Sequence, residues 1–191
     1  MKKNLLISVW FTLVTTAIFG VIYPLAVTTL SQAFFRDRAN GEIIQQNGQA
    51  VGSRLIGQAF TGPEYFHSRL SSAGTGYDGR ASGGSNLGPT NKSLVDRVNG
   101  DIQRLHAENP SAVIPVDLIT SSGSGLDPHI SPDAAEFQIP RVARERHTSE
   151  AALRTIVARH TEGRQLGFLG ESRVNVLELN LDLDAGNPVA H

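Results

Sequence analysis

The sequence predicts a single N-terminal transmembrane helix followed by a small α+β domain. Two observations lead to this prediction. No Asp, Glu, Lys or Arg occurs in residues 4–35, and the rest of the chain mixes helical and strand-type spacing of apolar residues. A chain of 191 residues suffices for one domain of ordinary size in addition to an anchor. We therefore expect an anchor over residues 1–35 and a domain over residues 36–191.

The anchor prediction depends on residues 5–30, which are almost entirely apolar. A bilayer core about 30 Å thick needs roughly 20 such residues in a helix, because lipid offers the backbone no hydrogen-bond partners. Pro24 removes one backbone donor, so we expect a kink between Gly20 and Pro24. A cleaved signal peptide is the alternative, although its apolar run would be shorter and would end in a small-residue cleavage site.

The charges beside the apolar stretch predict its orientation. Lys2 and Lys3 flank one end, and Arg36 and Arg38, offset by Asp37, flank the other. This balance slightly favours a cytoplasmic N-terminus. We therefore expect the domain to lie outside the cytoplasm.

The overall composition excludes several classes of function. With 17 basic and 18 acidic residues, the chain has a formal charge of −1 and no basic field that would hold nucleic acid. It contains no cysteine, which excludes disulfides, thiol catalysis and cysteine-based zinc sites.

The first part of the domain is predicted to be largely irregular. Residues 36–49 form a polar connection, and residues 52–60 read as a strand or an extended segment. The glycine-rich residues 71–89 exclude a regular helix. They are either a flexible surface loop or an ordered loop placed against a ligand or partner. No Gly-Lys-Ser/Thr follows, so they are not a phosphate-binding P-loop.

The clearest helix is predicted over residues 91–108, with Thr90 or Asn91 as its cap. Its apolar side chains recur at intervals of four, four and three residues, and we expect this stripe to pack in the core. The stripe consists of Leu94, Val98, Ile102 and Leu105.

Two further elements are predicted around the middle of the chain. Residues 113–120 suit a short strand at a sheet edge, because Pro115 lacks a backbone donor. The Ser131-Pro132-Asp133 sequence is a strong helix start. Pro140 is expected to kink or end this helix, which then resumes over residues 141–146.

The C-terminal part is predicted to hold a third helix and the best strand. The helix covers residues 148–161 and ends before Gly163. The strand covers residues 174–184, where leucines alternate with polar residues as on a sheet with one buried face. The acidic residues of this strand would face solvent or attract cations.

No catalytic or metal centre is predicted. Ser124, Asp127 and His129 are the residue types of a hydrolase triad, but closeness in sequence does not indicate the geometry that a triad needs. Asp127-Pro128 is better explained as a turn before the helix at Ser131. The six histidines show no metal-binding spacing.

Several specific sequences resemble those of the C subunit of the bacterial Kdp potassium-transporting ATPase. They occur in family order over nearly the whole chain. Ser121 and Ser172 depart from the family pattern, where Ala and Pro are expected, without touching the most specific strings. The matching stretches are YPL at 23–25, GSRLIGQAF at 52–60, YFHSRLSSAGTGYDGRASGGSNLGPTN at 65–91, SGSGLDPHISPDAA at 122–135, RVARER at 141–146 and RVNVLELNLDLD at 173–184.

The resemblance implies an accessory, non-catalytic subunit in a bacterial inner membrane. Its partners would be a channel-like potassium-translocating subunit, a P-type ATPase subunit and a small peptide. ATP, Mg²⁺ and K⁺ would be used by the complex, with no cofactor assigned to this chain. The family's C subunit is described as a catalytic chaperone that raises the ATP affinity of the pump subunit. If the domain lies outside the cytoplasm, that effect is indirect, or the role is assembly and covering of an entrance.

The glycine-rich segment and the LDPHIS turn are the candidate partner contacts. The residues concerned are Gly83, Gly84, Ser85, Asn86, Asp127, Pro128, His129 and Ser131. The alternative is a stand-alone anchored extracytoplasmic hydrolase or solute-binding domain, which would act without partner chains.

Overall fold

The structure is a computed structural model and describes residues 2–186. The chain forms two compact units, with the division between Ile43 and Ile44. The first unit is mainly one long helix, and the second combines helices with short strands.

The first unit contains helix α1 (Lys2–Thr15), a π-helical segment (Thr16–Ile22) and helix α2 (Tyr23–Phe34). Together they form one helix of 33 residues that is long and apolar enough to cross a membrane. A short helix α3 (Arg36–Ala39) follows. The fold class predicted from the sequence is therefore confirmed in its N-terminal apolar helix.

The π-helical segment overlaps the first part of residues 20–24, where the sequence predicts a kink. The Tyr23 amide donates to the carbonyl of Ile18, five residues earlier rather than four. In a regular α-helix the Pro24 ring would crowd the carbonyl of Gly20. The wider turn relieves this crowding, so the helix passes Pro24 without ending.

Strands β1 (Ile43–Gln46) and β2 (Gln49–Ser53) form a two-stranded sheet. Asn47 and Gly48 connect them with φ values of 53° and 77°. Two successive positive φ values define the type I′ turn, which Asn-Gly favours because its twist suits a hairpin.

Over residues 44–186, the second unit contains four longer helices and a three-stranded antiparallel sheet. Strand β5 lies at the centre of this sheet, with Ile130 and Thr161 on either side of Val174. This combination confirms a small α+β domain. The elements are α4 (Lys92–Glu108), β3 (His129–Ile130), α5 (Pro132–Glu145), α6 (Glu150–Arg159), β4 (Thr161–Glu162), β5 (Arg173–Asn175) and α7 (Val176–Gly186).

Helix α5 is the centre of the core. Its first turn is capped as predicted, because the Ser131 Oγ accepts a hydrogen bond from the Ala134 amide at 3.0 Å. The helix continues through Pro140 to Glu145, so the prediction that Pro140 could end it is wrong. Apolar residues of α6, β5 and α7 complete the core. They include Leu153, Val157, Val174, Val176, Leu179 and Leu183.

The strand predicted over residues 174–184 is wrong beyond Asn175, because the chain forms helix α7 there. The side-chain oxygen of Asn175 accepts a hydrogen bond from the Glu178 amide at 3.2 Å, which caps the new helix. Burial then follows helical spacing, with Val176, Leu179 and Leu183 inside. The spacing of the leucines is compatible with the two-residue period of a strand and also with one face of a helix.

The strand predicted over residues 113–120 is also wrong. Pro115 leads into a short 3₁₀-helix, Val116–Leu118. Its turn places Leu118 in the core and directs the Asp117 carboxylate towards Ser131. A tertiary contact at Leu118 therefore outweighs the β-branched composition of this stretch.

The apolar stripe of α4 is buried only at one end. Asn91 caps the helix as predicted, and its side chain accepts from the Ser93 amide at 2.9 Å. Leu105 is in the core, whereas Leu94 and Val98 are only half-buried and Ile102 is 38% exposed. The expectation that the whole stripe packs in the core is therefore wrong. Helix α6 begins at Glu150 and ends at Arg159, within the predicted range.

Candidate functional site

The glycine-rich residues 71–89 contain no helix or strand, yet they are held against residues 123–125 by hydrogen bonds. The Gly83 amide donates to the Ser124 carbonyl at 2.8 Å, and the Ser82 hydroxyl donates to the same oxygen at 3.0 Å. These contacts favour the interpretation of an ordered, backbone-rich loop. Ser85 is half-buried and Asn86 is exposed, with φ 51° at Asn86.

Ser71 connects the beginning of this loop to the same turn. Its hydroxyl donates to the Gly125 carbonyl and accepts the Tyr77 amide at 2.7 Å. The Tyr77 hydroxyl in turn donates to the carbonyl of Arg69. Burial raises the pKa of Tyr77 above its usual value, so this phenol stays protonated and keeps donating at neutral pH.

Two glycines allow the backbones to approach this closely. A Cβ at Gly125 would lie 2.7 Å from both the Ala73 amide nitrogen and the Gly83 carbonyl oxygen, and its φ is +68°. A Cβ at Gly57 would lie 2.5 Å from the carbonyl oxygen of Asp127. Both positions therefore need glycine for close packing, and Gly125 also needs it for its backbone conformation.

Asp127 carries the carboxylate of the LDPHIS turn, residues 126–131, and is bound on both of its oxygens. Its Oδ2 accepts a hydrogen bond from the Arg69 guanidinium at 3.1 Å, and its Oδ1 accepts one from the His129 amide at 3.0 Å. Burial alone would raise the pKa of Asp127, but the side chain and backbone of His129, together with Arg69, lower it below its usual value. Asp127 is therefore a fixed negative charge that stabilises the turn.

The remaining residues of the turn are structural. The carbonyl of the buried Pro128 accepts a hydrogen bond from the Val176 amide at 3.0 Å, and His129 pairs with Asn175 in the sheet. The Ser131 backbone and hydroxyl both donate to the carboxylate of Asp117, at 2.8 and 3.1 Å.

A cleft of about 600 Å³ lies beside this turn. Asp127, His129 and Ser131 line it, so the structure brings these three predicted residues together. Arg69 and Arg173 also line it, and within residues 2–186 their buried Nε atoms have no hydrogen-bond partner. The glycine-rich members of the predicted set do not line this cleft.

Ser124, Asp127 and His129 are not arranged as a catalytic triad. The Ser124 Oγ accepts the amide of Leu126 at 3.1 Å, and among the described residues no hydrogen bond joins it to His129. The His129 Nδ1 instead lies 3.5 Å from Asp127. Among the described residues, no three or more His, Cys, Asp or Glu side chains form a group that could hold a metal ion.

Two buried arginines on α5 and at its end hold the irregular segment before Arg69. Arg141 bonds to Glu108 at 2.8 Å and to the Tyr65 carbonyl at 2.9 Å. Arg146 donates to the Glu64 carbonyl at 2.7 Å and to Asp184 at 2.7 Å. The RVARER sequence identified both arginines, but nothing local in the sequence indicated that they would bind loop backbone.

Two buried amides complete this attachment. The Gln138 Oε1 accepts the His67 amide at 2.8 Å, and its Nε2 donates to the His67 carbonyl at 3.2 Å. Asn180 makes the same pair of contacts with Phe66. Side chains thus replace a partner strand for this stretch of backbone.

Residues 5–185 match the sequence model of the KdpC family, described as K+-transporting ATPase, c chain. The chain belongs to the KdpC family. The resemblance predicted from its motifs is therefore confirmed.

The chain is similar over nearly its full length to several KdpC subunits. The chain is 65% identical over 189 residues to the potassium-transporting ATPase KdpC subunit of Koribacter versatilis (strain Ellin345), covering 99% of this chain and 98% of the relative. It is 52% identical over 183 residues to that of Acidobacterium capsulatum, covering 95% and 98%. It is 50% identical over 197 residues to that of Rhodopseudomonas palustris (strain BisB18), covering 97% and 99%.

Proposed function

We propose that this chain is a non-catalytic accessory subunit of an ATP-driven potassium uptake complex. The observation that carries the proposal is the combination of KdpC membership with a turn whose charged groups are bound to one another. Asp127, His129 and Ser131 stabilise the fold and do not form a nucleophile–base pair. The chemistry and the ion pathway would belong to partner chains.

The apolar helix supports a role within a membrane complex. Its hydroxyls bond to carbonyls of the same helix, as Thr15 does with Phe11 and Thr29 with Leu25, both at 2.8 Å. This conceals their polarity from lipid. One helix cannot enclose a pore, so a channel-like subunit would supply the potassium pathway. A P-type ATPase subunit and a small peptide would be the other partners.

The domain is proposed to lie outside the cytoplasm of a bacterial inner membrane. Lys2 and Lys3 would then remain on the cytoplasmic side. ATP and Mg²⁺ would act on the pump subunit at that side and K⁺ would pass through partner chains. Any chaperone effect on ATP affinity would be transmitted as a coupling free energy, typically about 1–3 kcal/mol.

We propose that the candidate partner contacts predicted from the sequence bind a partner chain where the fold leaves them accessible. Ser85 and Asn86 are the more accessible residues of the glycine-rich segment, and Asp127 and His129 line the cleft. Arg69 lines the same cleft and holds the Asp127 carboxylate at 3.1 Å, which would keep this charge in a fixed position for a partner. Gly83, Gly84, Pro128 and Ser131 would hold these contacts in position.

Co-purification is the direct test. A tagged full-length chain should retain the potassium-translocating and ATPase subunits in mild detergent. A helix-swapped chain, with residues 2–34 replaced by an unrelated membrane-spanning helix, should retain them less well because close helix packing is sequence-specific. A full-length chain that purifies alone and hydrolyses or binds a small solute would instead establish the stand-alone alternative.

The proposed orientation needs its own measurement. A C-terminal alkaline phosphatase fusion should be active, because that enzyme folds in an oxidising compartment. A C-terminal fusion that fluoresces only in the cytoplasm would overturn the extracytoplasmic placement. In that case direct contact with ATP would become the hypothesis to examine.

A further inference from the structure

The connection between β4 and β5 forms a narrow projection that no function assigned so far uses. Gln165 and Leu169 form a second bridge beyond the sheet, with their backbones donating to each other at 2.9 Å in both directions. We name residues 165–169 the apolar finger. Its base is the β4–β5 pair, where Glu162 faces Arg173.

The tip of the apolar finger exposes three large hydrophobic side chains. Leu166 is 83% exposed, Phe168 is 70% exposed and Leu169 is 48% exposed. Single exposed leucines are ordinary on protein surfaces, but adjacent aliphatic and aromatic side chains on a projection are typical of an interaction site. Phenylalanine and leucine would gain most by entering an apolar environment.

The backbone of the apolar finger is held in a strained turn. Leu166 has φ +53° and Gly167 has φ +81°. Leucine is disfavoured in the left-handed region because its Cβ approaches the neighbouring carbonyl. In the free domain, Leu166 therefore has an unfavourable backbone conformation, and its apolar side chain is exposed to water. A binding partner would compensate for the exposure.

The base of the apolar finger is fixed by a network of charges. Glu162 contacts Arg173 at 2.8 Å and Arg54 at 3.0 Å. Arg54 also contacts Glu178 of α7 at 3.0 Å. These ion pairs and the β4–β5 pairing connect the base of the apolar finger to α7, which would reduce the ordering entropy lost on binding.

These features fit a shaped protein pocket better than a lipid surface. Attraction to anionic lipid needs several basic residues, whereas the apolar finger is flanked by one cation, Arg164, and one anion, Glu171. A fluid bilayer also has no need of a fixed turn. Three side chains cover only part of a stable interface, so the contact would belong to a larger one.

We infer that the apolar finger inserts Leu166 and Phe168 into an apolar pocket on another subunit of the same membrane complex. This inference rests on the proposed function, because it needs partner chains. It adds a contact that is separate from the cleft beside Asp127.

The absence of cysteine from the chain allows a clean test. The Phe168→Cys variant is labelled with a polarity-sensitive fluorophore as full-length protein. The matched control is Val113→Cys, because Val113 is 91% exposed on a different segment. Emission is measured in nanodiscs of phosphatidylethanolamine and phosphatidylglycerol, first for the chain alone and then after assembly with the other subunits.

The expected result is a shift to shorter wavelength at position 168 that appears only on assembly and is absent at position 113. A shift already present in the chain alone would identify lipid as the occupant and overturn the inference. Assembly without any shift at 168 would also overturn it, while leaving the accessory-subunit function intact. Failure of the wild-type chain to assemble would overturn both.

A second measurement covers the case in which the label itself disturbs binding. The Leu166→Asn, Phe168→Ser double variant should dissociate from the detergent-solubilised complex at least tenfold faster than wild type, with Val113→Ser as control. Equal dissociation rates for the double variant and the control would count against a docking role. Both altered residues are exposed, so the thermal unfolding of the free chain should not fall.

Discussion

Asn180 binds both backbone polar groups of Phe66 through the two ends of its amide. Its Nδ2 donates to the Phe66 carbonyl and its Oδ1 accepts the Phe66 amide, each at 2.9 Å. Both residues are buried, Asn180 at 1% exposure and Phe66 at 0%. Helix α7 thereby fixes an irregular segment that lies 114 residues earlier in the chain.

Replacing Asn180 by leucine should destabilise the domain strongly. Asn180→Leu leaves the amide and carbonyl of Phe66 buried without partners, which should cost about 2–5 kcal/mol. Thermal unfolding of the detergent-solubilised full chain, followed by circular dichroism, measures the loss. Asn99→Leu on an exposed face of α4 is the control and should change stability little. A loss below about 1 kcal/mol would show that the segment relaxes around the change.

Gly125→Ala should release the glycine-rich segment. The new Cβ would meet the Ala73 amide and the Gly83 carbonyl at 2.7 Å, at a backbone φ that disfavours alanine. Limited trypsin digestion should then cleave faster after the exposed Arg80. Gly79→Ala is a matched control, because nothing lies within 4 Å of its Cβ position. Equal cleavage rates for the two variants would contradict the proposed packing.

Asp127→Asn should change how stability depends on pH. The folded-state pKa of Asp127 is lowered, so its contribution is fully present above the unfolded-state pKa of about 3.9 and is lost as pH falls through the folded value. The variant should be less stable than wild type by about 1–3 kcal/mol near pH 7. This difference in unfolding free energy between the variant and wild type should become smaller as the pH falls below about 4. A gap that stays constant down to pH 3 would exclude this charge as its origin.

Leu166→Asn should stabilise the free domain. Asparagine tolerates the left-handed backbone at φ +53°, so the turn should gain about 0.5–1 kcal/mol. Leu169→Asn is the control, because Leu169 lies in the same finger without a positive φ. Unfolding temperatures of the two variants and wild type measure the effect. An unfolding temperature of Leu166→Asn at or below that of the control would refute backbone strain at this position.

The elements that the sequence predicted well carry their own local signals. The capping residues Asn91 and Ser131 mark the starts of α4 and α5, and both side chains make the expected hydrogen bonds. The uncharged residues before Phe35 form the long apolar helix in the same way. Such signals depend on neighbours in sequence and need no knowledge of the fold.

The C-terminal segment shows where local pattern misleads. Leucines at alternate positions suggested a strand, with Asn180 on its solvated face. In the structure Asn180 is almost fully buried, because its amide is needed by a distant backbone. The spacing of Asn175 and Glu178 offered a helix cap as a competing signal. The Asn47-Gly48 pair was likewise a hairpin signal within a stretch that was predicted to be only a polar connection.

The sequence proposed residues for a candidate site, but it did not show how the fold arranges them. Its motif strings identified Asp127 and Gly83 as members of specific sequences. Only the fold shows that Gly83 contacts the Ser124 carbonyl while Asp127 faces a separate cleft. Contacts between segments some 40 residues apart are set by tertiary packing, which one sequence does not reveal.

The π-helical segment before Pro24 gives the long apolar helix two differently oriented halves. Each widened turn takes in an additional residue, and one residue corresponds to about 100° of rotation around a helix axis. A row of side chains along the 14 residues of α1 therefore does not continue as the same row along α2. If the helix spans a bilayer as proposed, the two leaflets would contact different sides of it. Two neighbouring helices approaching from different directions can each pack against one half.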